Sequence, residues 1–365
     1  MDILFVQDAT GSQQPYINAA KNQVVQIAAE IRKSGGFVND DDLRFGVISF
    51  RDHPPQDTSY VTKTHGGFSS DIAELQSNFA SIVSTGGGDG PEAQCDALEA
   101  ALNAAWRKEA AKLVILITDS PPHGVESSGD FWPSGHPEQK DAFATAEEMK
   151  DRGIVLNVVA CEPVLSQYYD RATAFYKGIV AKTNGAIFAL PQWQSSLNAT
   201  HVRPRNANNS GKAQDGLQMT FEQAYQRVVT GFALKLLDTT RYSAEYKDMV
   251  EDQAEMQNRG VDDIVTDLYA NIQATGGKHY NFSITMSDPS DSHGKAESEV
   301  WKKARSMAEA REELEKLPSS PGPTSRRAAA DVNLSEPAIP SIYEQQLITR
   351  SNVKDIVSAI LRQAK

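Results

Sequence analysis

Over residues 1–190, short apolar runs alternate with segments whose apolar residues recur at helical spacing. The runs are rich in β-branched residues and almost uninterrupted, which is typical of strands buried on both faces. They predict strands over 2–7, 43–50, 60–64, 112–118, 153–160 and 186–190. The helical segments are 16–33, 70–82, 91–106, 137–152, 167–183 and, after a polar interruption, 220–237. This alternation predicts an α/β fold with a doubly wound, mostly parallel six-stranded sheet and helices on both sides.

The third predicted strand is expected to differ from the others in direction. The short link from Phe50 to Tyr60 leaves no room for the crossover helix that a parallel neighbour needs. We therefore expect strand 60–64 to be antiparallel and to lie at an edge of the sheet.

Composition divides the rest of the chain. The expected parts are a first domain over 1–237 with a polar excursion at about 191–217, a mainly helical extension over 238–317, a Pro- and Ser-rich linker over 318–340, and a C-terminal amphipathic helix within 341–365. The alternating pattern of Tyr280–Met286 predicts a strand within the extension. The final helix either docks onto its own chain or binds a partner helix, and the sequence leaves both open.

Charge and composition restrict the function. The chain of 365 residues holds 36 Lys and Arg against 48 Asp and Glu, a net charge of −12. An acidic surface disfavours nucleic acid and anionic membranes. No apolar run reaches the roughly 18 residues that a membrane span needs. The first residues read directly as a strand and not as a signal peptide, so a cytoplasmic location is expected.

The clearest chemical signal follows the first strand, in the run Asp8-Ala9-Thr10-Gly11-Ser12. Ligands of open parallel sheets bind at the carboxyl ends of the strands, which is where this run is predicted to lie. A carboxylate with two hydroxyl oxygens suits a hard divalent cation such as Mg²⁺. The same residues could instead form a helix cap and a buried, amide-bound aspartate.

Two further loops favour the metal. Asp119 follows strand 112–118, and Asp89 lies in the Gly-rich run from Thr85 to Glu92. Three carboxylates meeting in one crevice repel each other unless a cation neutralises them. The sequence therefore predicts a site for Mg²⁺, with Ca²⁺ or Mn²⁺ as alternatives.

These motifs resemble the metal-ion-dependent adhesion site of the von Willebrand factor A (VWA) domain family. The resemblance covers about residues 1–190, or up to 237 with the last helix of the fold. It implies that the metal is bound, directly or through water, by Asp8, Thr10, Ser12, Asp89 and Asp119. It also implies a partner protein that donates an oxygen to the metal.

Two positions depart from the family pattern. Thr10 replaces a Ser and keeps the hydroxyl, whereas Asp89 stands where the family usually has Thr and adds a negative charge. That charge is expected to tighten cation binding and to weaken the pull of the metal on an acidic partner group. Thr85 is the alternative ligand from this loop.

The runs Gly-Gly-Gly-Asp-Gly-Pro-Glu-Ala, Asp-Ser-Pro-Pro-His-Gly and Phe-Arg-Asp-His-Pro-Pro-Gln-Asp are similar to the VWA domains found with alpha-type kinases of fungi and slime moulds, and to their kinase-less relatives. The chain has no kinase catalytic set. Arg51, Asp52 and His53 are expected beside the site, as supporting or partner contacts. His123 is expected to form hydrogen bonds within its loop, because hard cations prefer oxygen ligands.

The predicted function is divalent-cation-dependent binding of a protein partner, without catalysis. One alternative is a metal-stabilised scaffold or regulatory subunit. Another is a Mg²⁺-dependent, phosphatase-like hydrolase with Asp8 as nucleophile. Such enzymes generally place a second Asp two residues later, where this chain has Thr10. The identity of the partner and the oligomeric state cannot be predicted from these patterns.

Overall fold

The computed structural model describes residues 1–126, 128–191, 220–255, 257–280, 292–318 and 345–363. A six-stranded sheet lies at its centre, in the order β3-β2-β1-β4-β5-β6. The strands are β1 (Asp2–Asp8), β2 (Arg44–Phe50), β3 (Thr62–Thr64), β4 (Lys112–Thr118), β5 (Ile154–Glu162) and β6 (Ile187–Pro191). All neighbouring strands are parallel except β2 and β3, which pair antiparallel at one edge. The predicted sheet and its antiparallel edge strand are confirmed.

Helices bury both faces of this sheet. Ile3 and Phe5 of β1 belong to the core on one face, and Leu4 and Val6 belong to the core on the other. The first face is covered by α1 (Gln14–Gly35), α2 (Ile72–Ala80) and α7 (Phe221–Glu255). The second is covered by α3 (Gln94–Leu102), α4 (Ala142–Asp151), α6 (Ala172–Lys182), α9 (Ser292–Lys303) and α10 (Met307–Glu315). Two-sided burial explains why the strands are almost continuously apolar.

Several helices differ in their bounds from what the periodicity predicts. The segment 91–106 yields only α3, because Glu92 pairs as an isolated bridge with Pro122 and the Ala93 amide donates to Arg51 O. The segment 137–152 yields α4, whose first amides are capped by the Asp141 carboxylate. The segment 167–183 is interrupted between a short α5 (Val164–Tyr168) and α6.

The C-terminal part is mainly helical and packs on itself and on the sheet domain. Helix α7 continues without a break beyond the predicted end at 237, and α8 (Val261–Ala274) follows it. The strand β7 (Lys278–Tyr280) pairs antiparallel with β8 (Gln345–Leu347), and β8 was not predicted. The final helix, α11 (Arg350–Gln363), buries Val353, Ile356 and Val357 against α7 and α8 of the same chain.

Some predicted segments lie outside the described residues. They are most of the polar excursion, the Pro- and Ser-rich linker beyond residue 318, and residues 281–286 of the predicted strand. Within the described part of the chain, no helix is both long and apolar enough to cross a membrane.

Candidate metal centre

Asp8 is the last residue of β1, and the sequence around it fixes the orientation of its carboxylate. The side chain is fully buried. Its Oδ1 accepts from the Thr10 amide at 2.9 Å and from Thr10 Oγ1 at 2.6 Å. Its Oδ2 accepts from Thr118 Oγ1 at 2.8 Å. The chain turn and the neighbouring strand β4 therefore hold Asp8 at the carboxyl end of the sheet.

Asp119 follows β4, the direct neighbour of β1, and so lies beside Asp8. The polar side chains of Ser12 and Gln13 lie near its carboxylate and lower its pKa. Burial, followed by the negative charge of Asp119, raises the pKa of Asp8 to about 7. Burial also raises the pKa of Asp119. The structure thus brings together Asp8, Thr10, Ser12 and Asp119, as the sequence predicts for the first and last loops.

Backbone hydrogen bonds join the Gly-rich third loop to the turn after β1. The Thr85 amide donates to Ala9 O at 3.1 Å, and the Gly11 amide donates to Gly86 O at 3.3 Å. Gly87 has a φ of +85°, and a Cβ there would lie 3.1 Å from Glu92 Oε1 and 3.5 Å from Thr10 Cβ. A residue with a side chain is therefore disfavoured at this position. The Thr85 side chain itself is exposed.

Glu92 is the acidic residue that sequence reasoning missed. The residue is 4% exposed, and within the described part of the chain its Oε2 has no hydrogen-bond partner. Burial raises the pKa of Glu92 to about 11, and the charges of Asp8, Asp52, Asp119 and Asp89 act in the same direction. A signal was present, because Glu92 stands three residues after Asp89 at the end of the Gly-rich loop. The predicted helix over 91–106 accounts for its position without a role in the site.

Asp89 contacts a neighbouring group of residues. Its Oδ2 accepts from the Phe131 amide at 2.6 Å, while its Oδ1 is buried without a partner. Burial raises its pKa to about 6, opposed by the Phe131 amide and reinforced by contact with the Asp52 carboxyl. Asp89 therefore contacts the loops that carry Asp52 and Phe131, and its charge also acts on Glu92.

His123 bridges two carboxylates. Its Nε2 lies 2.8 Å from Asp52 Oδ1, and its Nδ1 lies 2.7 Å from Asp130 Oδ1. Burial opposes charge on the ring, but the hydrogen bonds to Asp130 and Asp52 outweigh it and raise the pKa of His123 to about 9. An imidazolium that donates from both nitrogens has no lone pair left for a metal.

The other two residues expected beside the site bind their own partners. Arg51 pairs with Asp57 at 3.4 Å and stacks on Tyr60. His53 Nε2 lies 2.8 Å from Asp96 Oδ2, an oxygen that His136 Nε2 also contacts. Both residues are buried near the centre and leave its oxygen ligands free.

The residues present fit a hard divalent cation. Asp8, Glu92 and Asp119 are buried acids, and among the described residues none of them forms an ion pair with Lys, Arg or His. Carboxylate and hydroxyl oxygens are the ligands that Mg²⁺ and Ca²⁺ prefer. A bound cation would also favour the charged carboxylates, which burial disfavours, and would offset the repulsion between them.

Comparison with known proteins gives a consistent result. The family model of the von Willebrand factor type A domain matches residues 2–202, more than half of the chain. The chain is 32% identical over 139 residues to the alpha-protein kinase vwkA of Dictyostelium discoideum. That match covers 38% of this chain and spans 21% of the length of the kinase.

Solved structures of low sequence identity are also similar. The SpRpn10 VWA domain is 12% identical, with 52% of this chain and 87% of that chain covered and a TM-score of 0.35. BatB from Bacteroides thetaiotaomicron is 16% identical, with 51% and 88% covered and a TM-score of 0.34. At these scores the two similarities carry no argument about function.

Proposed function

Because this chain belongs to the von Willebrand factor type A family, whose domains commonly mediate protein interaction, we propose that it binds a protein partner through a divalent cation. The cation, Mg²⁺ or alternatively Ca²⁺ or Mn²⁺, is held by oxygens at the carboxyl ends of β1 and β4. The ligands from these two loops are Asp8, Thr10, Ser12 and Asp119. Asp89 and Glu92 supply the third loop, directly or through water, with Thr85 as the alternative.

One observation carries the metal proposal. Asp8, Asp119 and Glu92 are acidic side chains buried next to one another without a basic side chain among the described residues to neutralise them. Burying carboxylates together costs free energy unless they are protonated or bind a cation. A divalent cation supplies the missing charge.

Surface features beside the centre support a protein partner. Phe131, whose amide donates to Asp89, leaves 52% of its side chain exposed. Exposed aromatic side chains next to a polar site are typical of contact surfaces. The partner would place an oxygen on the metal and an apolar group against Phe131. The centre is already rich in carboxylates. A neutral oxygen of the partner, such as a carbonyl or hydroxyl, therefore suits the metal better than a carboxylate of the partner.

A non-catalytic role is favoured over the hydrolase alternative. A phosphatase-like site needs an acid–base group two residues after its nucleophile. In this chain that residue is Thr10, and its hydroxyl donates to Asp8 Oδ1 at 2.6 Å. A metal-stabilised scaffold or regulatory subunit is the other alternative. In that case the metal only holds the loops together and does not contact a partner.

Calorimetry with Mg²⁺ tests the metal proposal. We expect wild-type protein to bind one cation and Asp8→Ala to bind at least about 100-fold more weakly. The exposed Asp248 on α7 provides the control, and Asp248→Ala should bind like wild type. Equal binding heats for wild type and Asp8→Ala would refute the proposal.

A pull-down with and without chelator separates the binding module from the scaffold. If the metal bridges to a partner, Asp119→Ala loses the partner while its thermal unfolding remains cooperative. If the metal only holds the loops together, chelation lowers the melting temperature. Folded Asp119→Ala protein then still binds the partner.

A further inference from the structure

A cavity of about 660 Å³ lies at the edge of the sheet opposite the candidate metal centre. Its lining includes Lys112 at the start of β4, Gly153 just before β5 and Asn184 just before β6. These are the amino ends of the strands, whereas Asp8 and Asp119 lie at carboxyl ends. Helices α7 and α11 close the cavity from the side of the C-terminal part. Its volume is within the range of about 300–1,000 Å³ that small-molecule sites occupy.

The lining of this cavity is basic although the chain as a whole is acidic. Seven Lys and Arg residues line it against three acidic residues, in a chain of net charge −12. The basic residues are Lys108, Lys112, Lys150, Arg152, Lys235, Lys247 and Arg362. They lie in the loops before β4 and β5, at the start of β4, and in α4, α7 and α11. Such an arrangement concentrates positive potential in a concave space, which attracts anions.

Two of these cations form no ion pair with a described residue, although the charges of nearby acids still act on them. Lys112 Nζ donates to Lys108 O at 3.0 Å and to Arg152 O at 3.2 Å, but among the described residues it has no carboxylate partner. Arg362 likewise forms no ion pair with a described residue, and burial lowers its pKa against the opposing charges of Asp355 and Asp151. By contrast, Lys235 pairs with Asp355 at 3.7 Å and Lys150 pairs with Glu147 at 2.9 Å. A partly buried cation whose charge is not matched by a close ion pair favours binding of an anion from solution.

The cavity also offers apolar surface next to these cations. Phe232 and Leu236 of α7 and Val155 of β5 contribute to its wall. A ligand can therefore place a carbon framework against the wall and its anionic groups against the bases. Two arginines together with five lysines, spread over separate segments, suit more than one phosphate group.

We propose that this cavity binds a small phosphorylated molecule that carries two or more phosphate groups. The phosphates contact Lys112 and Arg362, and the ligand joins the sheet domain to α7 and α11. Binding is independent of the metal centre, because the two sites lie at opposite edges of the sheet. An occupied cavity would also hold α11 more firmly against the amino ends of β4 and β5.

The test measures binding of inositol hexakisphosphate and pyrophosphate by calorimetry in metal-free buffer that contains chelator. A third arm uses vesicles with phosphatidylinositol bisphosphate, which distinguishes a lipid headgroup from a soluble phosphate compound. The double variant Lys112→Gln/Arg362→Gln is expected to weaken phosphate binding about tenfold or more. Lys302→Gln/Lys303→Gln on α9 removes the same charge far from the cavity and should change affinity less than about twofold. Asp8→Ala should bind like wild type.

Further readouts keep the result interpretable. Thermal unfolding without ligand establishes that the double variant is folded, and Ala359→Phe fills the cavity without changing its charge. Weaker binding by both variants supports the proposal, whichever phosphate source binds. Failure of wild type to bind any of the three probes overturns it. An equal loss of phosphate affinity in Lys112→Gln/Arg362→Gln and in Lys302→Gln/Lys303→Gln also overturns it, because it indicates nonspecific electrostatic attraction.

Discussion

At the scale of single residues, the candidate centre consists of acidic side chains that are buried even without a cation. Asp8 has a pKa of about 7 and Glu92 a pKa of about 11, with burial as the first cause of both shifts. Near neutral pH the metal-free site therefore holds protons that a cation must displace. The hydroxyls of Thr10 and Thr118 keep Asp8 in place in either state.

Mg²⁺ binding is accordingly expected to release protons. Protons and metal compete for the Asp8 carboxylate, so affinity falls as the pH drops through about 7. From Asp8 alone we expect release on the order of half a proton at pH 7 and about tenfold weaker binding at pH 6 than at pH 8. Calorimetry in two buffers of different ionisation enthalpy measures the released protons. Identical heats in both buffers, with affinity unchanged between pH 6 and 8, would count against this prediction.

Glu92→Gln should stabilise the metal-free protein while weakening metal binding. Burial raises the pKa of Glu92 from 4.5 to about 11, so the folded state binds this proton more tightly than the unfolded chain does. Its contribution to stability is therefore lost progressively as the pH rises from about 4.5 to about 11. We expect Glu92→Gln to increase the free energy of unfolding at pH 8 by about 2 kcal/mol and to reduce its decline with pH.

Urea unfolding with chelator at pH 6 and pH 8 measures this effect. The exposed Glu312 of α10 provides a matched control, and Glu312→Gln should leave the free energy of unfolding unchanged within about 0.5 kcal/mol. A Glu92→Gln variant less stable than wild type at both pH values would show that the carboxylate has a partner.

At the scale of elements, α9 seals one face of the sheet although it lies far along the chain. Trp301 is fully buried, stacked on Phe143 at 5.7 Å and edge-on to Phe175 at 5.4 Å. Gly178 of α6 allows this approach, because a Cβ there would lie 2.7 Å from Trp301 O. Helices α6 and α9 therefore pack in close contact at this point.

Trp301→Ala is expected to destabilise the protein by about 3–5 kcal/mol, because it opens a large cavity between α4, α6 and α9. Trp301→Phe keeps an aromatic ring in the stack and should cost clearly less. The indole Nε1 has no hydrogen-bond partner among the described residues, so losing it removes no hydrogen bond that they form. Urea unfolding of both variants measures the difference, and equal effects would show that the stack itself contributes little.

At the scale of the whole molecule, α7 connects two cores. Its first half packs on the sheet through Val228 and Phe232. Its second half carries Tyr242 and Val250 into a smaller core with α8 and α11. The C-terminal part is therefore built onto the sheet domain through one continuous helix of 35 residues.

Deleting residues 345–365 removes β8 and α11 and should loosen this smaller core selectively. Ile264, Leu268 and Ile272 of α8 lose their covering side chains, so their amides should exchange about tenfold faster or more. Amides of β1 and β4, in the centre of the sheet, should keep their protection. Hydrogen exchange followed by mass spectrometry resolves both regions, and unchanged exchange in α8 would contradict the expected coupling.

The sequence alone was sufficient for the sheet and for part of the centre. The strands are apolar on both faces because they are buried on both faces, so their pattern is visible locally. Parallel strands end at the same edge, which is why Asp8 and Asp119 could be expected to meet. The turn from Asp8 to Ser12 is short enough for its contacts to follow from its residues.

Only the tertiary structure decided the rest, because the deciding contacts join residues far apart in the chain. Glu92 enters the centre because its segment is held between β2 and the loop after β4. Trp301 reaches the core of the sheet from a helix that begins at residue 292. The basic cavity forms only where strand ends, α7 and α11 converge. Local periodicity specifies which faces must be buried, but the partner that buries each face is chosen by packing of the whole chain.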